Sequence, residues 1–333
     1  MPHSYPAPLR TPICREIGID YPVFQAGMGM IAQARLAAAV SEAGGLGVIG
    51  TGLSMKPGEL REQIRAVRSE TRKPFGVDIL FATIRAQGSS VARYTDNVQG
   101  LIEVTLEERA PVLISGLGSP AAAVRDAHAR GICVMSVVGA ERHARKAVAG
   151  GVDAVIASGR DGGGHVGEAG TAALVPAVVN AVDVPVVAAG GLADGKSLAA
   201  ALMWGAQGVW LGTRFIATRE ALAHRNYKTR IAKTDTSGTT VTRAHSGKPC
   251  RLIRNAFTEY WAGREEEILP YPRQALEIGN PASVRGRLQG DDEWGVLPAG
   301  QSAGLVESVE SAGAVVREIV TGARSAISAA SGL

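Results

Sequence analysis

One histidine lies inside a glycine-rich run, Ser158-Gly159-Arg160-Asp161-Gly162-Gly163-Gly164-His165-Val166-Gly167. Glycines let the backbone bend through positive φ. Imidazole titrates nearest neutrality and is the side chain best suited to take a proton. His165 is therefore the candidate catalytic base. Two further glycine turns, Gly190-Gly191 and Gly212-Thr213, each follow a short apolar run. Backbone amides at such turns hold anions, a phosphate above all. Upstream, Gln25-Ala26-Gly27-Met28-Gly29-Met30 contains Gly27-x-Gly29-x-x-Ala32, which fits the dinucleotide fingerprint. A Rossmann reading also needs an acid at the end of the second strand, and here that strand ends Ile49-Gly50-Thr51-Gly52. The segment is better read as a loop whose amides lie against a flat ligand, with a plain tight turn as the alternative. Gln301, between Gly300 and Gly304, could cap a helix or reach the site.

These residues must be positioned by the elements before them. Apolar, often β-branched runs recur at 22–26, 47–50, 75–80, 112–115, 133–137, 154–157, 186–189 and 209–211. Continuous runs of this length suit strands buried on both faces of a parallel sheet. Amphipathic or Ala-rich segments at 33–43, 58–71, 120–130, 140–150 and 195–205 lie between them and predict helices. Eight such units predict a (β/α)8 TIM barrel rather than an open doubly wound sheet. The glycine turns then follow the last three strands, where such barrels hold a phosphate. The barrel rhythm stops near Ala221. Residues 219–254 carry nine Lys/Arg against two acids, and 259–310 carry ten acids against four basic residues. A helical and irregular cap insertion, 219–298, is expected over the mouth, with 10–218 and 299–330 forming the barrel. A final amphipathic helix is expected over 306–328.

Composition narrows the classes. Among 333 residues, 46% are hydrophobic and 20% charged, which excludes a disordered chain or a disulfide-stapled module. Glycine numbers 42 but has no G-X-Y period, so collagen is excluded. Aromatics at 5% and a net charge of +4 without long like-charge runs give no nucleic-acid or membrane surface. The three cysteines, Cys14, Cys133 and Cys250, are far apart, so no metal site is expected and the set suits a reducing, cytoplasmic setting. The first ten residues carry three prolines and no apolar core, so no signal peptide is read there. His3, His128, His143, His224 and His245 show no partner pattern and are assigned no role.

Taken together, PVFQAGMGM, GGLGVIGTG, GRDGGGHVGEAG, the run from VPVVAAGG to GTRFIATRE, and AGQSAGLV resemble the nitronate monooxygenase (2-nitropropane dioxygenase) family, over about residues 10–320. That group includes FMN-dependent quinone reductases and flavin enoyl reductases. The resemblance implies one FMN on the barrel. Ala26, Gly27 and Met28 would lie along its ring, with Ser158, Gly163 and Gly164 at its edge or tail. Gly190, Gly191, Gly212 and Thr213 would bind the phosphate, and Gln301 would approach from the cap. Asp78 falls among the flavin contacts, where many relatives carry Asn. His165 would face the substrate. The implied reaction is oxidation of an alkyl nitronate by O2 to a carbonyl compound and nitrite. The alternative is NAD(P)H-dependent reduction of a quinone or enoyl thioester, motivated by Arg225, Lys228, Arg230, Lys233, Arg243 and Lys248, which could meet a phosphate. A homodimer is possible under either reading.

Overall fold

A computed structural model describes residues 6–81, 83–85 and 92–332. His3 and the start of the proline-rich segment lie outside the described residues. Eight parallel strands form one sheet: β1 (Val23–Gln25), β2 (Gly47–Gly50), β3 (Phe75–Leu80), β4 (Val112–Leu117), β5 (Cys133–Val138), β6 (Ala154–Ser158), β7 (Val186–Ala189) and β8 (Val209–Leu211). They pair in chain order from β2 to β8, and β8 returns to β1, with Val23 opposite Val209. Hydrogen bonds from Gln25 N to Leu46 O and from Leu46 N to Val23 O, both 2.9 Å, join β1 to the start of β2 and close the barrel.

Period-2 alternation divides the strand residues between two cores. Phe24, Val48, Val112, Ile114, Met135, Ile156, Val187 and Trp210 fill the barrel interior. Val23, Ile49, Val77, Leu113, Val155 and Ala188 face the surrounding helices. Both faces are therefore dry, which is why the sequence reads as unbroken apolar runs.

Glycine sets the closest approaches between layers. A Cβ at Gly47 would lie 1.8 Å from the Ala37 carbonyl oxygen, so the helix Ala34–Glu42 can rest directly on β2. The helix that completes the ring comes last. It covers Ala312–Ala330, later than the expected start at 306, because Gln301–Leu305 forms a 3-10 turn and Ser311 caps the helix through the Ala314 amide. It packs on the helix Gly195–Met203, where Gly195 meets the Gly322–Ala323 backbone.

The insertion after β8 is less irregular than its sequence suggests. It holds the helices Arg225–Ala232, Ala256–Trp261 and Asn280–Arg287, and also a β-ribbon of Thr239–Thr242 with Cys250–Ile253. The ribbon takes Gly164–His165 from the β6 loop as its third strand, setting His165 opposite Cys250 and Gly164 opposite Arg251. Arg230 pairs with Asp292 at 3.5 Å and Glu293 at 2.8 Å, so part of the basic run is offset by the acidic run. A hairpin of Thr83–Arg85 and Ala92–Tyr94 after β3 was not anticipated.

Candidate active site

All the singled-out residues lie at the C-terminal end of the barrel or on the segments that reach over it. Gly76 points inward, since its Cβ would meet Ile114 and Val48, and Asp78 two residues on shares that face. The upper interior is thus walled by small groups. Gly27 and Gly116 crowd around the Asp78 carboxylate, and Gly50 pairs with Asp78 from β2. A Cβ on Gly27 would fall 2.3 Å from the Asp78 Cβ, and one on Gly116 would fall 2.5 Å from its Oδ1. A Cβ on Gly50 would strike the Met28 backbone nitrogen at 2.2 Å. The Met28 sulfur lies against Gly212.

Asp78 is 7% exposed, and its Oδ1 finds no hydrogen-bond partner among the described residues. Burial pushes the carboxyl well above the usual carboxylate range, with the Gly116 amide a smaller opposing influence.

The glycine turns after β7 and β8 are neighbours because Ala189 pairs with Trp210. Gly190 and Gly191 adopt φ of 97° and 70°. Among the described residues, the amides of Gly190, Gly191, Gly212 and Thr213 have no acceptor. Unpaired amides converging at two adjacent strand ends suit a phosphate. Gln301 is drawn in beside them: its amide donates to Asp161 O at 2.9 Å, and the Gly300 amide donates to Thr213 Oγ1 at 2.9 Å. Gly163 lies so close to Ala299–Gly300 that a Cβ there would sit 2.7 Å from backbone atoms. Ser158 ends β6 beneath Gly162. The small-residue strand ends, the buried Asp78 and the unpaired amides fit a planar cofactor bearing a phosphate.

His165 is exposed, on the loop after β6, opposite Cys250 of the ribbon. Its Nε2 lies 2.7 Å from Ser246 Oγ, a contact between residues 81 apart in sequence. Burial, then the charges of Lys248 and Arg287, hold its pKa below the ordinary value. His245 was assigned no role from sequence, yet its ring centroid lies 5.9 Å from that of His165. Its nitrogens meet Cys250 Sγ at 3.6 Å and Ser283 Oγ at 3.3 Å, and burial lowers its pKa to about 3. Arg251 fastens the ribbon to the loop, donating from Nε to Arg160 O at 3.1 Å and from Nη1 to Thr239 Oγ1 at 3.0 Å. Ser246 and Arg251 escaped sequence reading because neither carries a local motif. Two other histidines serve elsewhere: His128 meets Asp153 at 3.0 Å, and His224 caps a helix through the Asn226 amide.

Ser246 holds one ring nitrogen, and so the orientation, of His165. Ser246→Ala is expected to lower kcat/KM about five- to tenfold, the worth of one neutral hydrogen bond. Thermal unfolding should be little changed. Steady-state assays beside melting curves check both.

A parallel barrel with a histidine and unpaired glycine amides at its C-terminal mouth is the architecture of an enzyme, and its relatives make it an oxidoreductase. Residues 10–322 match the nitronate monooxygenase family model, and the chain belongs to that family. It is 33% identical to a Mycobacterium tuberculosis (3aS,4S,5R,7aS)-5-hydroxy-7a-methyl-1-oxo-octahydro-1H-indene-4-carboxyl-CoA dehydrogenase, covering 98% of this chain and 99% of that one. It is 32% identical to a Paraburkholderia phytofirmans nitronate monooxygenase, covering 89% and 90%. The structure of FabK from Thermotoga maritima superposes with a TM-score of 0.88 at 37% identity, over 97% of this chain and 99% of that one. Among the described residues no helix is long and apolar enough to cross a membrane, and no group of side chains is placed to hold a metal.

Proposed function

We propose that the chain is an FMN enzyme that oxidises alkyl nitronates with O2 to a carbonyl compound and nitrite. The barrel, 10–218 and 299–330, holds the cofactor, and 219–298 covers the substrate. Ala26, Gly27, Met28 and Asp78 form the cradle for the ring, with Ser158, Gly163, Gly164 and Gln301 at its edge. Gly190, Gly191, Gly212 and Thr213 offer their amides to its phosphate. When bound, FMN supplies the electron transfer from substrate to O2 that no side chain can perform.

The observation that carries this reading is His165, an imidazole kept neutral at the open mouth and fixed through Ser246. A neutral imidazole can take a proton from the carbon beside a nitro group. Lys248, whose charge acts on His165, favours the anionic nitronate that results. The test is nitrite release: propyl-2-nitronate in air should give nitrite in proportion to O2 consumed. Consumption of nicotinamide without any response to nitronate would refute it.

A second reading, oxidation or reduction of an acyl thioester, is favoured by two cations. Arg243 and Lys248 have no carboxylate partner among the described residues, whereas Arg230 does. The relative named a carboxyl-CoA dehydrogenase gives this reading its substrate class. Under it, R243A and K248A should each raise KM for a CoA ester or NADPH about tenfold, the worth of one charged contact. Unchanged KM values would exclude a phosphate role for either residue.

A further inference from the structure

We propose that Arg287 is a specificity residue of the substrate site, its guanidinium fork receiving the two oxygens of a small planar anion held beside His165. The proposal rests on the nitronate reading above only for the identity of that anion.

The site is a cation inside the cap that no acid balances. Arg287 ends the helix Asn280–Arg287 and is half-buried. Its place is fixed on two sides: its carbonyl accepts from the His224 amide at 2.7 Å, and its Nε donates to Val296 O at 3.3 Å. Among the described residues, its two Nη groups have no acceptor and no carboxylate pairs with it. Asp78 Oδ1 is the one sealed side-chain oxygen or nitrogen without a partner among those residues, so the Nη groups face accessible space. Arg214 and Arg251, both buried, instead spend their donors on protein acceptors.

The helix aims this group at the candidate base. Ser283 lies one turn before Arg287 on the same face, and its Oγ is 3.3 Å from His245 Nε2. The His245 ring centroid is in turn 5.9 Å from that of His165. A long helical side chain leans toward the helix N-terminus, which carries the guanidinium back over Ser283 toward the two histidines. Its charge is felt there: after burial, it helps to lower the pKa of both rings. Lys248, the other cation acting on His165, is turned onto the Tyr271 ring, with its Nζ 4.1 Å from the ring centroid.

A guanidinium presents parallel N–H donors that match two oxygens on one planar centre. A nitronate offers that pattern, its charge shared by two oxygens on one nitrogen, and a carboxylate is its stable mimic. When His165 takes the proton beside a neutral nitro group, the charge appears on those same two oxygens. The fork therefore holds the nitronate more tightly than the nitroalkane.

The experiment is calorimetric titration of the purified, flavin-loaded protein with isobutyrate, which has the heavy-atom skeleton of propyl-2-nitronate, and with isobutyramide, its neutral counterpart. Wild type should bind the carboxylate about tenfold or more tightly than the amide. Arg287→Met, similar in length and uncharged, should weaken isobutyrate about 10- to 100-fold, the worth of one charged contact, and leave isobutyramide unchanged. Arg285→Met removes an exposed cation of the same helix, paired with Asp291 at 2.6 Å. It should change neither affinity, which separates the effect from loss of net charge. Arg287→Gln stands in if the methionine variant does not fold, with the same loss expected. Equal isobutyrate affinity in wild type and the Arg287 variant, or equal affinity of wild type for the two probes, overturns the proposal. Nitrite release from propyl-2-nitronate is read separately. An Arg287-dependent carboxylate affinity without nitrite release would refute the nitronate reading and uphold the anion site.

Discussion

Replacing His165 with Asn is expected to lower turnover of the best substrate about 10²–10⁴-fold, the ordinary contribution of a positioned acid or base. Asn keeps a polar group near Ser246 but cannot take a proton at neutral pH. The residue is exposed, so little packing is lost, and cofactor content and melting temperature should match wild type. The same histidine sets the acid limb of the pH profile. Because burial and the charges of Lys248 and Arg287 depress its pKa, the base stays neutral and active below the usual imidazole value of about 6.5. Activity should therefore hold as pH falls through that value and be lost only further down. A wild-type limb at or above 6.5, or a variant with undiminished turnover, would remove His165 from the chemistry. An alkyl nitroalkane and its preformed nitronate separate the two tasks open to it. If His165 abstracts the proton, the variant should lose far more activity on the neutral nitroalkane than on the nitronate.

Gly190→Ala should weaken FMN binding on the order of 100-fold, through loss of about two amide contacts to a charged phosphate. Gly190 adopts φ of 97°, and a Cβ there would lie 2.8 Å from Gly159 O and 2.9 Å from Thr171 Oγ1. An alanine is thus strained by its backbone and obstructed by the β6 turn. The loop must shift, and the free amides of Gly190 and Gly191 turn away from their common target. Ala189 just before it is held in the barrel by β6 and β8, so the fold should survive. The measurement is FMN affinity by fluorescence quenching, with circular dichroism as the folding control. Wild-type affinity in a folded variant would move the phosphate elsewhere.

The barrel was legible because each strand is dry on both faces. Val48-Ile49, Val112–Ile114 and Val186–Ala189 read as continuous apolar runs, and their count of eight selects closure. The glycine turns were legible for a related reason: Gly190 and Gly191 need backbone angles that other residues avoid. What escaped were contacts between segments far apart in the chain. Thr239–Thr242 and Cys250–Ile253 are short, and Thr and Arg blur their alternation, so the ribbon looked like loop. Its third strand is only Gly164–His165, borrowed from the β6 loop, and nothing local announces it. Ser246 and His245 meet His165 only because that ribbon forms. Asp78 was singled out only through the family resemblance, and its packing between Gly27 and Gly116 became visible only in the fold.

The most direct test of the account is anaerobic mixing of the purified, FMN-loaded protein with propyl-2-nitronate, and separately with NADPH and NADH, while the visible flavin band is followed. Rapid loss or change of the band with nitronate, and none with either nicotinamide, is the predicted result. Rapid bleaching by a nicotinamide with no response to nitronate would contradict it and assign the site to reduction of quinones or acyl thioesters.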